Sequence, residues 1–334
     1  MARHFGLGLA VGFLLMNAAC SQAATPAART VTSLPTLFNT ATILPTVAAT
    51  ASQAPSLTAT PASVPFNPSD CSIEACILAG DYWLDRPIAA PALQMAENSY
   101  LFGSTQNGQR ITHSGVEFYN ATGTEVLAAA DGRVTFAGDD SIQPFAPWTH
   151  FYGNLIILEH ASPRNGVIYT LYAHLSEIDV QIGQDLKAGQ VIGKVGMSGA
   201  AIGSHLHFEM RDGSLDFTAM RNPFLFLKPL TDSNGNPLAV LAGQLMDSNG
   251  QYISSPQLVA EQIELPDNSP PRRYYMETYA TDASSDPEWQ ENFVLGDLQP
   301  GRYRISFVFD GKLIERFITL SAGKLTYLSL QMEN

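Results

Sequence analysis

His205-Leu206-His207-Phe208-Glu209 puts two imidazoles and a carboxylate at alternate positions of one short run. On an extended strand, residues two apart share a face. His205, His207 and Glu209 then point one way, and Leu206, Phe208 and Met210 the other. The first face carries metal-ligand chemistry and the second is a core face. An imidazole pair on a strand is half of a zinc site, because neutral imidazole nitrogen is a preferred Zn²⁺ ligand. Partners for the pair stand upstream, in His113-Ser114-Gly115-Val116-Glu117 and in Tyr172-Ala173-His174.

The elements that must position these groups read as strands. Val126 to Ala130 runs into Asp131-Gly132, a strong hairpin turn signal, and Arg133 to Ala137 continues as a strand. Leu155 to His160 and Val167 to Tyr172 are two more β-rich runs around Pro163-Arg164-Asn165-Gly166. Glycines punctuate the stretch from Gly183 to Gly203, and no long run of helical period appears. This density of turns predicts an all-β chain with a compact, mostly antiparallel β domain.

His113-x-Gly115-x-Glu117, Gly123-Thr124-x-Val126, Ala130-Asp131-Gly132-x-Val134, Tyr152-Gly153-Asn154, Tyr172-Ala173-His174-Leu175, Gly189-Gln190-x-Ile192-Gly193 and His205-Leu206-His207-Phe208-Glu209 succeed one another in order. Together they resemble the lysostaphin-type (LytM-type) zinc endopeptidases that cut peptidoglycan cross-links. The resemblance spans roughly residues 99 to 227 and implies the family's compact antiparallel β domain, a duplicated hybrid motif. It also implies that His113, Glu117 and His207 bind Zn²⁺, while His174 and His205 flank the attacking water without ligating. The residue types agree. Three protein ligands with a fourth position open make a catalytic zinc site rather than a structural one. A neutral imidazole beside the ion can take a proton from water, and its protonated form can steady an oxyanion or a leaving amine. The chain departs from the family pattern at Glu117, where aspartate is expected. The extra methylene carries the carboxylate about 1.5 Å outward, against a Zn–O distance of ~2.0–2.2 Å.

Other residues read more plainly. His160 ends an apolar strand and reads as a structural or a surface histidine. His150 and Trp148 lie in a loop that reads either as ordinary loop packing or as a groove wall. Glu209 is placed to orient one of the histidines. Tyr172 reads either as a donor to an intermediate or as a buried strand tyrosine, and Asn154 as structural or as a support to the site residues.

The chain has 334 residues, enough for two ordinary domains with extras. A formal net charge of −13 and the lack of any basic run argue against nucleic acid and against an anionic membrane surface. Arg3, the apolar run from Phe5 to Met16 and the small residues after it form an export signal over residues 1–23. Asn17-Ala18-Ala19-Cys20 resembles a lipoprotein signal, which makes Cys20 a point of membrane attachment; ordinary cleavage after Ala23 is the other outcome. Residues 24–68 are rich in Thr, Ala, Pro and Ser and cannot bury enough apolar surface to fold, so they read as a disordered stalk. Cys71 and Cys76 read as a local disulfide of an exported protein. The peptidase domain with its N-terminal extension is expected over residues 69–229.

After Pro229, Thr231-Asp232-Ser233-Asn234-Gly235-Asn236-Pro237 reads as a linker between independently folding parts. Residues 238–334 then resemble a small transthyretin-like or carboxypeptidase-regulatory-like β-sandwich. Tyr303, Ile305, Phe307 and Phe309 alternate at strand period. The sandwich holds no titratable cluster, and its ligand is not legible. Two functions remain for the whole chain. One is an exported zinc metalloendopeptidase acting on peptidoglycan peptide in the cell envelope or outside the cell. The other is a catalytically degenerate domain that binds wall or activates a hydrolase. A cupin-like metal protein, also built on His-x-His, wants a further glutamate and histidine at spacings this chain lacks.

Overall fold

The computed structural model describes residues 66–333 except 73, 255–256 and 266–269. The expected signal segment, Cys20 and nearly all of the Thr/Ala/Pro/Ser-rich stretch lie outside these residues. Among the described residues the chain is strands, turns and three short 3₁₀ helices, with no α-helix. None of these helices is long and apolar enough to cross a membrane.

The site stands on a seven-stranded sheet. Its main path runs Met220–Arg221, Leu206–Asp212, Val167–Ala173, Asn154–Ala161, Gly132–Asp139 and Asp185–Leu186, with Val116–Phe118 also pairing the strand Leu206–Asp212. Every pairing in it is antiparallel. The central strands are rich in Leu, Ile, Val and Tyr because both faces are covered. Alternate residues feed opposite clusters: Ile156, Leu158, Tyr172 and Phe208 enter one core, and Leu155, Ile157, Leu171 and Ala173 the other. A three-stranded sheet of Glu125–Leu127, Val191–Lys194 and Glu177–Ile178 completes this part.

The C-terminal part is two four-stranded sheets. Tyr303, Ile305 and Phe307 are buried in the strand Gly301–Phe309, as their alternation predicts. They pack in one cluster with Leu241, Leu245, Leu258 and Leu295. The Cys71–Cys76 disulfide is formed.

The expected bare linker between independent parts is not what the packing gives. The strand Cys76–Leu78 precedes the histidine motifs in sequence, yet it pairs with Leu325–Gln331 in a C-terminal sheet. One hydrophobic cluster holds Leu84, Phe224 and Phe226 together with Val240, Val294 and Tyr327. The buried Arg86 guanidinium grips Asp297 through two hydrogen bonds, 2.9 and 2.6 Å. Asn222 donates to the Tyr279 hydroxyl at 3.0 Å. Residues 230–237 divide the sequence but not the core. Loop composition reports a turn, whereas independence is set by what lies on either side of it.

Candidate metal centre

Strand register assembles the three motifs. His207 pairs directly with Glu117 on one side and with Ala173 on the other. Directly opposed residues of antiparallel strands present their side chains to the same face. Glu117 and His207 therefore meet there, and His174, one residue beyond the row, is brought alongside. His174 has a left-handed backbone (φ 62). Its amide donates to the Tyr152 carbonyl at 2.9 Å. Its ring lies 5.8 Å from the His207 ring and 4.8 Å from that of His205, centroid to centroid.

His113 enters from the turn before Val116–Phe118, and its Nε2 lies 2.8 Å from Glu117 Oε1. His207 Nδ1 lies 3.1 Å from the same oxygen. Gly115 allows this approach: a Cβ there would stand 2.3 Å from the Phe208 carbonyl oxygen and 2.9 Å from the His207 ring. The extra methylene of Glu117 has a visible effect, since Oε2 reaches His205 Nε2 at 3.0 Å. One carboxylate thus faces three imidazoles.

These residues fit a divalent ion. One donor atom from each of His113, Glu117 and His207 lies within 4.8 Å of the others, and all three side chains are buried. Two imidazole nitrogens and a carboxylate oxygen are a zinc donor set. The electrostatics agree. Burial alone would raise the Glu117 carboxyl, but His207 and the hydrogen bonds from His113, His205 and His207 outweigh it and hold it well below the carboxylate range. Burial would lower His207, yet Glu117 and Glu209 carry it up to about 9. A point that draws a proton this strongly also draws a cation, and metal binding would displace that proton.

His174 and His205 are each held by a backbone carbonyl. His174 Nδ1 meets the Ser198 carbonyl at 2.8 Å and His205 Nδ1 the Gly203 carbonyl at 2.7 Å. A carbonyl accepts, so each Nδ1 carries a proton, and Nε2 is the nitrogen left for chemistry. Burial, reinforced by His207, depresses His174 to about 3, so its ring is neutral at physiological pH.

Glu209 shares the histidine face, as the alternation predicts, and its Oε2 is 3.8 Å from His207 Nε2. It anchors a buried array that the sequence pattern alone did not single out. Tyr152 donates to Glu209 at 2.6 Å, and Arg211 Nε donates to it at 3.1 Å. Arg211 also donates to the Phe145 carbonyl at 2.7 Å. The signal was present, because Arg211 continues the period-two series His205, His207, Glu209. Ser114, whose hydroxyl is 3.4 Å from His207 Nε2, and Tyr100, stacked on the His113 ring at 4.0 Å, were likewise missed. Each is placed by a turn rather than by a strand pattern.

The other candidates separate cleanly. His160 is bonded to the Asp131 carbonyl and to Thr170, which makes it structural. The Tyr172 hydroxyl accepts from the Ala129 amide on the core side, and Asn154 donates to the Leu175 carbonyl. Trp148 lines the groove above the histidines, about 380 Å³ in volume, and His150 does not. His150 lies instead beside Asp139, at 3.5 Å.

Known proteins resemble part of this chain. ALE-1 of Staphylococcus capitis, a glycyl-glycine endopeptidase, is 37% identical over 117 residues, covering 35% of this chain and 29% of ALE-1. ShyB of Vibrio cholerae, a peptidoglycan DD-endopeptidase, is 32% identical over 150 residues, covering 44% of this chain and 32% of ShyB. The matched stretch thus spans about a third or less of these relatives' own lengths. The catalytic domain of lysostaphin from Staphylococcus simulans aligns at 32% identity with a TM-score of 0.32, covering 39% of this chain and 92% of that domain. Residues 111–218, which hold every histidine and carboxylate of the site, match the model of Peptidase family M23, and the chain carries a domain of that family.

Proposed function

We propose that this chain is an exported zinc metalloendopeptidase that hydrolyses peptide bonds in peptidoglycan cross-links. The carrying observation is the donor set of His113, Glu117 and His207 at the floor of an open groove, with His174 and His205 beside it. The names of relatives such as ALE-1 and ShyB supply the substrate class. Under this reading those three residues hold the ion. When bound, zinc supplies Lewis acidity that polarises a carbonyl and makes water a nucleophile near neutral pH. Neutral His174 accepts the proton of the attacking water at Nε2. His205, when Nε2 carries a proton as well as Nδ1, donates from Nε2 where charge builds on the carbonyl oxygen. Water adds across the peptide bond, its oxygen going to the carbonyl carbon and its protons ending on the new carboxyl and amine. This reading has the chain exported by its N-terminal signal, with either Cys20 lipidated or the signal cleaved after Ala23, and so puts the domain at the cell envelope or outside the cell.

One observation favours a second reading, a degenerate domain that binds wall or activates a hydrolase. Glu117 reaches far enough to bond His113 and His207 through one oxygen and to bring the other within 3.0 Å of His205. Zinc content and hydrolysis of purified peptidoglycan, measured for the wild type and Glu117→Asp, separate the two. The enzyme reading expects about one zinc per chain and cleavage by the wild type. Zinc-free protein prepared without chelator, or cleavage gained only in Glu117→Asp, establishes the second.

A further inference from the structure

The groove above the histidines holds two charged side chains besides them, Glu117 and Arg110. Glu117 is engaged by the histidines. In a chain of net charge −13, buried and surface arginines such as Arg86, Arg164, Arg211 and Arg304 are paired with carboxylates. Arg110, the arginine that lines the groove, is not among these pairs. Among the described residues the Arg110 guanidinium has a ring as its packing partner instead, its carbon 5.0 Å from the Tyr100 centroid.

That ring fixes where the charge stands. Tyr100 lies flat on His113, centroids 4.0 Å apart and planes 11° from parallel. The guanidinium is thus the third layer of a stack that begins at a residue of the metal centre. The Tyr100 hydroxyl donates to the Ile111 carbonyl at 2.8 Å, and the Arg110 amide to that of Thr105 at 2.9 Å. The turn itself is clamped from the C-terminal part. The Glu277 carboxylate accepts from Ser104 Oγ at 2.9 Å and from the amides of Thr105 and Asn107, both at 3.1 Å. A long side chain that is stacked and rooted in a braced turn loses little freedom when it binds.

We propose that Arg110 is a specificity-determining residue that reads a carboxylate on the peptide lying in the groove. The chemistry is a planar fork of N–H donors that matches a carboxylate through two parallel hydrogen bonds. The carboxylate has two sources, the free C-terminal end of a peptide or an acidic side chain within it. The inference rests on the peptide-hydrolase reading for what enters the groove, but its test reads binding as well as cleavage.

Three wall-derived peptides of one sequence separate the sources: one amidated only at the side chain, one only at the C-terminus, and one at both. Each is titrated into the full exported chain, zinc-loaded, with Trp148 fluorescence at the groove wall as readout, and hydrolysis is measured in parallel. One of the two mono-acids should bind about tenfold tighter than the fully amidated peptide. The advantage should shrink as salt is raised from 0.05 to 0.5 M, roughly, because the pair is exposed to solvent. In Arg110→Gln the preference should disappear while zinc content and Tm stay at wild-type values. Arg110→Lys should recover part of it, keeping the charge without the fork. Equal binding of all three peptides by the wild type overturns the proposal, as does an undiminished preference in Arg110→Gln. Cleavage without carboxylate preference sinks this inference and leaves the peptidase reading standing. Preference without cleavage does the reverse.

Discussion

Asp297→Asn tests whether the peptidase part and the C-terminal sheets are one folding unit. Asp297 has a left-handed backbone (φ 55), which asparagine tolerates, so the substitution removes charge without adding backbone strain. In the wild type its carboxylate receives Arg86 at 2.6 and 2.9 Å and the Leu230 amide at 3.3 Å. The Arg86 and Asp297 side chains are only 7% and 2% exposed, so water cannot replace the lost partner. Leaving a buried charge unpaired costs about 3–5 kcal/mol. Arg86 keeps its Nε bond to the Lys228 carbonyl at 2.9 Å and its place over Phe224, which argues for the low end. A loss of about 3 kcal/mol in a unit of this size lowers Tm by roughly 6–12 °C. Thermal unfolding monitored by tryptophan fluorescence and by far-UV circular dichroism should show one transition, shifted as a whole. Arg86→Met added to Asp297→Asn should restore most of the loss, because the uncompensated charge is then gone. A shift under about 2 °C, or two separate transitions of which only one moves, would refute a shared core across residues 230–237.

Three further outcomes are expected. His113→Ala and His207→Ala should lose zinc and hydrolysis together, whereas His174→Ala and His205→Ala should keep zinc while kcat falls ~10²-fold or more; metal analysis beside a peptidoglycan assay checks the division. Gly115→Ala should drive a methyl into the Phe208 carbonyl and the His207 ring, and is expected to weaken zinc binding more than it lowers Tm; unchanged metal affinity in a chelator competition would count against the close approach described. Glu291, buried and facing Asp286, has its carboxyl raised to about 8, against ~4.3 in an unfolded chain. The folded state then holds the extra proton between those values, so stability falls as pH rises from about 4.5 to about 8 and is flat above. Glu291→Gln should flatten that part of the Tm profile, and an unchanged slope would show that Glu291 is not its source.

Period and spacing are local, and what they govern was legible in the sequence. The alternation in residues 205–209 required that two histidines and Glu209 share a face, because side-chain direction on a strand is dictated by backbone geometry alone. Glycine turns marked out an all-β chain, although Asp131-Gly132 joins strands of two different sheets instead of closing the expected hairpin, and the short separation of Cys71 and Cys76 allowed a local bridge. The alternation of Tyr303, Ile305 and Phe307 marked a strand with one face in a core. Register was not legible. That His207 stands opposite Glu117 and Ala173, and that Glu117 Oε2 thereby reaches His205, depends on which strands pair and in what phase. Pairing phase is settled by turns and by the two cores on either side of the sheet. The buried Tyr152–Glu209–Arg211 array was half visible, since charge on a strand's inner face signals a partner without naming it. The strand Cys76–Leu78 joining a sheet built from the other end of the chain, and the Glu277 clamp on the turn that carries Arg110, left no local trace. Such contacts join residues far apart in sequence, and they form because tertiary packing lets buried apolar area and polar partners outweigh the entropy of closing those loops.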